Sequence, residues 1–198
     1  MIINEKLLQT YGAQMLTFKK DEYLIASGSS PKNYYQVVSG NLKITSGNSG
    51  HNEFIHQLIS IGDPVGETFL FADNLYTINA VALNSVTVYA LSRSNFDKLL
   101  AKHPEMRVRL YEYAVQCINY ERQLMNKMAY SGPREKIIII LDYLKRTQKQ
   151  YQSLPYEVPC TRKQLASLAG LRTETVVRTI KLMEKENSVK IVEGKVYY

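Results

Sequence analysis

The chain has 198 residues, 45% of them hydrophobic and 22% charged, a composition typical of a globular protein large enough to bury a core. Its two cysteines are too few for a disulfide framework or for a four-thiolate iron–sulfur cluster. The longest aliphatic run, Ile137 to Leu141, is too short to span a bilayer, and the N-terminus lacks a signal-peptide pattern. We therefore expect a cytoplasmic protein without a membrane partner.

The net charge of +7 is concentrated in the C-terminal third. Residues 1–132 hold 12 Lys/Arg and 11 Asp/Glu, whereas residues 133–198 hold 13 and 7. Such a concentration of positive charge is the footprint expected of a unit that contacts phosphates, whereas a membrane-surface protein would need an amphipathic basic helix. The charge distribution therefore favours nucleic acid as the partner.

The N-terminal half has the pattern of a β-rich domain. A short amphipathic helix is predicted in residues 4–16, through Leu7, Leu8, Tyr11 and Leu16. Glycines then separate short β-rich runs at Tyr23–Ala26, Tyr34–Val38, Leu42–Thr45, Glu53–Ile59, Ile78–Leu83 and Val86–Leu91. Such spacing favours an antiparallel sandwich or rolled barrel, jelly-roll-like, over a parallel α/β sheet. Residues 47–50, Gly-Asn-Ser-Gly, are the predicted tip of a hairpin.

Two helices are predicted to follow the strands. Ser94 is the predicted cap of the first, and Pro104 is predicted to open the second. Residues 105–130 contain neither Gly nor Pro, and a strip at alternating steps of four and three has the spacing of a coiled-coil seam. The strip consists of Leu110, Ala114, Cys117, Glu121, Leu124 and Met128. It could pair with a second copy, our preferred interpretation, or pack on the chain's own β-rich domain.

Residues 131–133, Ser-Gly-Pro, break this helix and are the predicted hinge. An amphipathic helix is then predicted from Arg134 to Lys149, with its core side formed by Ile137, Ile138, Leu141 and Leu144. Residues 189–198 are predicted to form two strands joined at Glu193-Gly194, a wing.

Residues 161–186 are predicted to form two short helices joined by a tight turn. Thr161 is placed to cap the first, and Gly170 ends it, because glycine adopts positive φ at low cost. The second is predicted to bury Val176, Val177, Ile180 and Met183. This is the helix-turn-helix pattern, in which the second helix enters the major groove of double-stranded DNA.

Glu174 and Arg178 lie four residues apart and therefore share one side of the second helix. Arginine can donate two hydrogen bonds to guanine O6 and N7, and glutamate can accept one from cytosine N4. The alternative interpretation of this spacing is a salt bridge on an ordinary surface helix. The surrounding 26-residue pattern favours DNA reading.

The stretch Gly170-Leu-Arg-Thr-Glu-Thr-Val-Val-Arg178 resembles the recognition-helix signature of the Crp/Fnr family of bacterial transcription regulators. The glycine pattern of residues 28–67 is similar to that family's cyclic-nucleotide-binding roll. The resemblance covers residues 15–198 and implies an α+β protein with three parts. These are an antiparallel β-roll in 1–104, a long dimerisation helix and hinge in 105–132, and a winged helix-turn-helix in 133–198. It further implies a homodimer on a palindromic operator, with RNA polymerase as another partner.

The resemblance also assigns roles to single residues. It pairs Arg178 with a guanine and Glu174 with a cytosine of a neighbouring base pair. Arg172 stands where the family has a Ser or Thr cap, so Thr173 is expected to cap instead. Base reading is expected from Arg172, Thr173, Glu174 and Arg178. Phosphate contacts are expected from Thr161, Arg162, Lys163, Thr175 and Lys181.

In members that bind a cyclic nucleotide, a Glu holds the ribose and an Arg about ten residues later pairs with the phosphate. Here the matching positions are Gly66 and Glu67, then Tyr76 and Thr77, and residues 44–92 contain no Lys or Arg. A buried phosphate needs a compensating cation or a ring of amide donors. We therefore do not expect cyclic AMP to bind in the usual manner, and the effector is left open, as is a pure scaffold role.

Other functional classes have less support. His51, His56 and His103 are predicted as surface residues and not as haem ligands, and no metal-ligand spacing occurs. Cys117 is interpreted as a thiol with a small apolar role and not as a redox sensor. No nucleophile–base set or phosphate-binding loop is present, so we do not expect an enzyme. The alternative function is a small-molecule-binding sensor with only non-specific DNA affinity.

Overall fold

A computed structural model of the protein describes residues 1–47, 53–72, 74–147 and 156–198, except for the side chains of residues 146 and 147. Its contacts divide the chain into two compact units, Met1–Ile118 and Asn119–Tyr198. The predicted hairpin tip after Gly47, and with it His51, lies outside the described residues, as do Lys149 and the loop that follows it. No helix of the described part is long and apolar enough to cross a membrane.

In its described residues, the N-terminal unit contains eight strands in two antiparallel sheets. The strands are β1 (Gln14–Phe18), β2 (Tyr23–Ile25), β3 (Asn33–Ser39), β4 (Leu42–Ser46), β5 (Phe54–Ile59), β6 (Pro64–Val65), β7 (Asn79–Ala82) and β8 (Val86–Ser92). One sheet has the order β1-β8-β3-β6 and the other has the order β2-β7-β4-β5. The predicted antiparallel β-roll is confirmed.

Four helices of the part that the structure describes belong wholly or partly to this unit. They are α1 (Glu5–Thr10), α2 (Thr68–Ala72), α3 (Arg93–Lys102) and the long α4 (Pro104–Ala129). α1 ends earlier than predicted, and Leu16 lies in β1 instead. The cap of α3 is Ser92 and not Ser94, since the Ser92 hydroxyl accepts a hydrogen bond from the Asn95 amide at 3.4 Å. Pro104 opens α4 as predicted.

Two apolar clusters stabilise the roll. One lies between the sheets and includes Ile25, Val37, Ile44 and Val88. The other joins β3 and β8 to α1, α3 and the start of α4, and there the rings of Tyr34 and Phe96 stack with centroids 4.6 Å apart. The clusters follow from the alternation of buried side chains along β3 and β8, which have cores on both sides.

The N-terminal segment is fastened to this second cluster by a buried amide. The Gln36 side chain accepts a hydrogen bond from the Ile3 amide at 3.0 Å and donates one to the Ile3 carbonyl at 2.9 Å. The Tyr34 hydroxyl donates to the same Gln36 oxygen at 2.7 Å. The side chain of Gln36 thereby supplies the pairing that a neighbouring strand would give, and Ile3 is fully buried.

The structure contradicts part of the seam that was predicted along α4. Leu110 is 1% exposed and belongs to the core of the N-terminal unit, so it cannot lie at an interface with a second copy. Cys117 is half-buried, and its sulfur accepts a hydrogen bond from the Gln57 side chain of β5 at 3.9 Å. The prediction was wrong at Leu110 because sequence spacing gives the period of a strip but not which of two adjacent strips faces the roll.

A different strip of α4 is exposed. We call the exposed stripe the set Val108, Tyr111, Val115, Ile118 and Met125. Its members recur at steps of three, four, three and seven residues, so they share one side of the helix. Of the predicted seam, Glu121 is exposed, whereas Ala114, Leu124 and Met128 are half-buried.

In the C-terminal unit, outside the undescribed residues 148–155, three helices pack together beside a small two-stranded sheet. Besides the end of α4 it contains α5 (Pro133–Thr147), α6 (Arg162–Ala169), α7 (Thr173–Lys185), β9 (Lys190–Val192) and β10 (Lys195–Tyr197). α5 buries Ile140, while Ile138, which was predicted for the core, is half-buried. The buried face of α5 consists of Ile137, Ile140, Leu141 and Leu144. Because residues 137–140 are all isoleucine, the sequence does not show which of them face the core. The predicted winged helix-turn-helix is confirmed.

Candidate functional site

The turn between α6 and α7 is fixed by capping at both ends of α6. The Thr161 hydroxyl accepts a hydrogen bond from the Gln164 amide at 3.2 Å, and the Gln164 side chain accepts one from the Thr161 amide at 2.8 Å. This reciprocal pair is a capping box. Gly170 ends α6 with φ 62° and ψ 37°, the left-handed conformation that glycine adopts most readily.

The N-cap of α7 is Arg172, one residue before Thr173, which was expected to cap the helix. Arg172 occupies the N-cap position with extended backbone but makes no side-chain capping bond, and Thr173 is the first helical residue. The prediction that Thr173 caps the helix is therefore wrong. The exposed arginine and threonine side chains lie at the start of α7, beside the amides of its first turn.

One face of α7 is buried and the opposite face is open. Val176, Thr179, Ile180 and Met183 are buried, and the Thr179 hydroxyl donates to the Thr175 carbonyl at 2.8 Å. Val177, predicted for the core, is only half-buried. It lies on the open face, whose side chains line one hollow: Thr173, Glu174, Val177, Arg178, Lys181, Leu182 and Lys185.

Glu174 and Arg178 are both exposed on this open face. Within the part of the chain that the structure describes, no ion pair joins them, although their spacing would allow one. A carboxylate and a guanidinium thus project from one side of a helix, one turn apart, over a hollow that Lys181 and Lys185 make positive. Such a surface can offer both an acceptor and paired donors to base edges.

The phosphate candidates differ in their exposure to solvent. Lys163 and Lys181 are exposed, whereas Thr175 is half-buried and uses its carbonyl within α7. Arg162 is also half-buried, and burial lowers the pKa of its guanidinium, partly offset by the nearby carboxylate of Glu184.

The wing adds lysines that the sequence reasoning did not assign. β9 and β10 pair as an antiparallel hairpin whose turn residues, Glu193 and Gly194, have φ of 49° and 79°. Lys190 is exposed, and Lys195 forms an ion pair of 2.6 Å with Glu157, which lowers the pKa of that carboxyl. The signal available in the sequence was a lysine on each side of a two-residue turn.

The effector positions do not form a phosphate site. Glu67 and Tyr76 are 7% and 4% exposed, whereas Thr77 is exposed. Burial, and secondarily the charge of Asp63, raises the pKa of Glu67. A buried acid and a neutral tyrosine therefore occupy the positions that the resemblance matches to the ribose and phosphate contacts, and these residues do not fit a cyclic nucleotide.

Metal binding finds no support in the described residues, where no group of three or more His, Cys, Asp or Glu side chains could hold an ion.

Comparison with protein families matches both units. Residues 15–103 match the cyclic nucleotide-binding domain, and residues 135–197 match the Crp-like helix-turn-helix domain. The two matches together cover most of the chain, and α4 lies in the stretch between them.

Relatives of known name are transcriptional regulators. A probable transcriptional activator of Rhizobium leguminosarum bv. viciae is 25% identical over 85% of this chain and 70% of its own length. The cAMP-activated global transcriptional regulator CRP of Salmonella typhimurium is 22% identical over 84% of this chain and 80% of its own.

Solved structures share the fold at low identity. The c-di-GMP responsive global regulator CLP of Xanthomonas campestris superposes with a TM-score of 0.85 at 16% identity, over 98% of both chains. At this identity the likeness concerns the fold, and cyclic AMP and c-di-GMP belong to the names of those relatives.

Proposed function

Because the chain belongs to the Crp/Fnr family of transcriptional regulators, we propose that it binds a palindromic operator as a homodimer and reads the base sequence through α7. The observation that carries the proposal is the open face of α7, on which Glu174 and Arg178 are exposed and not paired with each other. The excess of positive charge in residues 133–198 supports contact with phosphates around it.

In the proposed complex the N-terminal half of α7 lies in the major groove. Arg178 donates to O6 and N7 of a guanine, and Glu174 accepts from N4 of a nearby cytosine. Arg172 and Thr173, at the start of the helix, contribute at the edge of the groove. Specificity therefore depends on two charged side chains of opposite sign, one helical turn apart.

Phosphate contacts are proposed for the lysines and the cap around this helix. Lys163 and Lys181 are exposed, and Thr161 and Arg162 lie at the start of α6, while Thr175 lies between Glu174 and Arg178 in the sequence. Their contacts fix the position of α7 on the duplex but carry no sequence information.

The second copy is proposed to cover the exposed stripe of α4. Val115 is 55% exposed and Met125 is 71% exposed, which is unusual for apolar side chains at a helical period. The ring centroid of Tyr111, in the same stripe, lies 5.7 Å from that of Phe71, whose exposed ring extends the apolar surface. A parallel pairing along this stripe would give a two-fold dimer, with recognition helices about 34 Å apart for adjacent major grooves.

Control by an effector in the β-roll, action in the cytoplasm and contact with RNA polymerase are also part of the proposal. For these the support is the family membership and the cyclic nucleotide-binding match. Conformational coupling between the roll and DNA would require that an effector bind one state of the protein more tightly than the other.

The test is selection of a DNA site from a random pool with the full chain, followed by titration of the selected and of scrambled duplexes across salt concentrations. We expect a palindromic site bound at least about a thousandfold more tightly than scrambled DNA. Equal affinity for every duplex, falling steeply with salt, would instead support a protein with only non-specific DNA affinity.

A further inference from the structure

Val177 is an apolar side chain on the open face of α7. It is only half-buried, whereas its neighbour Val176 is fully buried in the core of the C-terminal unit. Val177 lines the hollow of the open face together with Glu174 and Arg178. The valine therefore lies beside the two side chains that are proposed to read bases.

Helix stability does not account for a valine at this position. Valine is a poorer helix former than alanine or the long unbranched residues, because its branched Cβ restricts the rotamers open to it in a helix. The core contacts of α7 come from Val176, Ile180 and Met183, which are fully buried on another face. What Val177 adds is apolar surface beside charged groups.

Two parallel rows of side chains run along the open face. Glu174 and Arg178, four residues apart, form a charged row. Thr173 and Val177, also four apart, form a second row whose members both carry methyl groups. Cβ atoms one helical turn apart are about 5 to 6 Å from each other, and stacked base pairs are about 3.4 Å apart. The two rows can therefore reach neighbouring base pairs when the helix lies in the major groove.

A valine side chain restricts which base edge can lie against it. It neither donates nor accepts a hydrogen bond, and the apolar group that bases present in the major groove is the C5-methyl of thymine. Contact with that methyl removes apolar surface of both partners from water. Contact with N4 of cytosine, or with O6 and N7 of guanine, would instead leave polar atoms without a partner.

We infer that Val177 is a specificity-determining residue, which selects a thymine through its C5-methyl group next to the bases read by Glu174 and Arg178. The inference rests on the proposed function, since it requires that α7 lie in the major groove. Because the methyl contact involves no charge, its contribution to affinity should not vary with salt concentration, unlike that of the phosphate contacts.

The test removes single methyl groups from the DNA. In the operator selected by the full chain, each thymine of a half-site is replaced in turn by deoxyuridine, which lacks only the C5-methyl. At one thymine the wild-type affinity should fall about fourfold, the equivalent of about 0.8 kcal/mol for one buried methyl at 1.4 kcal/mol per factor of ten. The same replacement in both half-sites should cost about 15-fold.

Cytosine and 5-methylcytosine at that position give the reciprocal test. Cytosine should be bound more weakly than thymine, and 5-methylcytosine should recover about fourfold over cytosine, because the methyl returns while the base pair stays C·G. Wild-type protein that responds to the methyl at no thymine of the operator would overturn the inference. This result needs no variant, so the inference is tested even if a variant does not fold.

Variants of α7 assign the effect to one side chain. Val177→Ser removes both methyl groups of the valine and should abolish the response to deoxyuridine, whereas Val177→Ile keeps a branched apolar side chain and should retain it. The matched control is Leu182→Ser, which should also retain it, because Leu182 is 52% exposed and is the other apolar residue lining the hollow. A fourfold response that survives in folded Val177→Ser would overturn the assignment.

Arg178→Ala separates this inference from the proposed function. That variant should lose the preference for guanine and keep the response to deoxyuridine, since the two contacts lie in different rows. A wild-type preference for guanine without any response to a thymine methyl would contradict the inference alone. Equal affinity of the wild type for every duplex would refute the proposed function, and the inference with it.

Discussion

Replacement of Arg178 by alanine should abolish discrimination at one base pair of each half-site while leaving the fold intact. Arg178 is exposed, so its removal creates no cavity, and no described ion pair is lost. A bidentate arginine–guanine contact contributes about 1 to 3 kcal/mol of discrimination. At about 1.4 kcal/mol per factor of ten, the preference for guanine at that position should fall by roughly 5-fold to 150-fold.

Fluorescence anisotropy titrations with the selected operator, and with the three substituted duplexes at that position, measure this preference. Lys181→Ala is the matched control, because Lys181 is exposed on the same face of α7 less than one turn away. Its loss should weaken every duplex alike and reduce the salt slope by about one. If Arg178→Ala retains the wild-type base preference while Lys181→Ala alters it, the assigned reading geometry is refuted.

Three further outcomes follow from single features of the structure. Gly170→Ala should lower the free energy of unfolding by about 1 to 2 kcal/mol, since an alanine at φ 62° is strained; unchanged urea denaturation would contradict the assigned turn. Val115→Glu should weaken self-association at least about tenfold in sedimentation experiments, because the proposed dimer would bring two carboxylates together at the exposed stripe. The control is Gln116→Glu, since Gln116 is exposed on the same helix but outside the stripe, and it should not weaken self-association. Equal effects of the two substitutions would exclude the exposed stripe as the interface. Burial raises the pKa of Cys160 to about 12, so its thiol stays protonated at pH 8. Iodoacetamide should therefore modify Cys160 only after denaturation, and rapid labelling of the native protein, measured by mass spectrometry, would contradict the burial.

Elements with a regular period could be predicted from the sequence, while those without one could not. β3 and β8 were recognised because they are bounded by turn residues and rich in β-branched and aromatic side chains. β1 was missed because nearly all of it is exposed, and β6 because it has two residues, one of them proline. Such strands are defined by the strands with which they pair, and local sequence does not identify these partners.

Within the candidate site, chemistry was easier to predict than orientation. The helix-turn-helix could be located from Thr161 and Gly170, because capping and left-handed backbone restrict residue type strongly. Val177 and Leu110 were misassigned since a rotation of one residue position exchanges an apolar strip for its neighbour. The packing of the Tyr76 ring against Gly66 needed coordinates, because residue spacing does not show which side chains meet across a turn.

The buried amide of Gln36 also has a consequence for the order in which the chain folds. Its partner, Ile3, is 33 positions away, so the two can meet only after the intervening loop has closed, at an entropic cost. Residues 1–13 therefore gain this contact only after β3 is in place. A folding intermediate in which β3 has not formed should therefore expose Ile3 and Leu8 together, and a chaperone that binds apolar segments could bind them there.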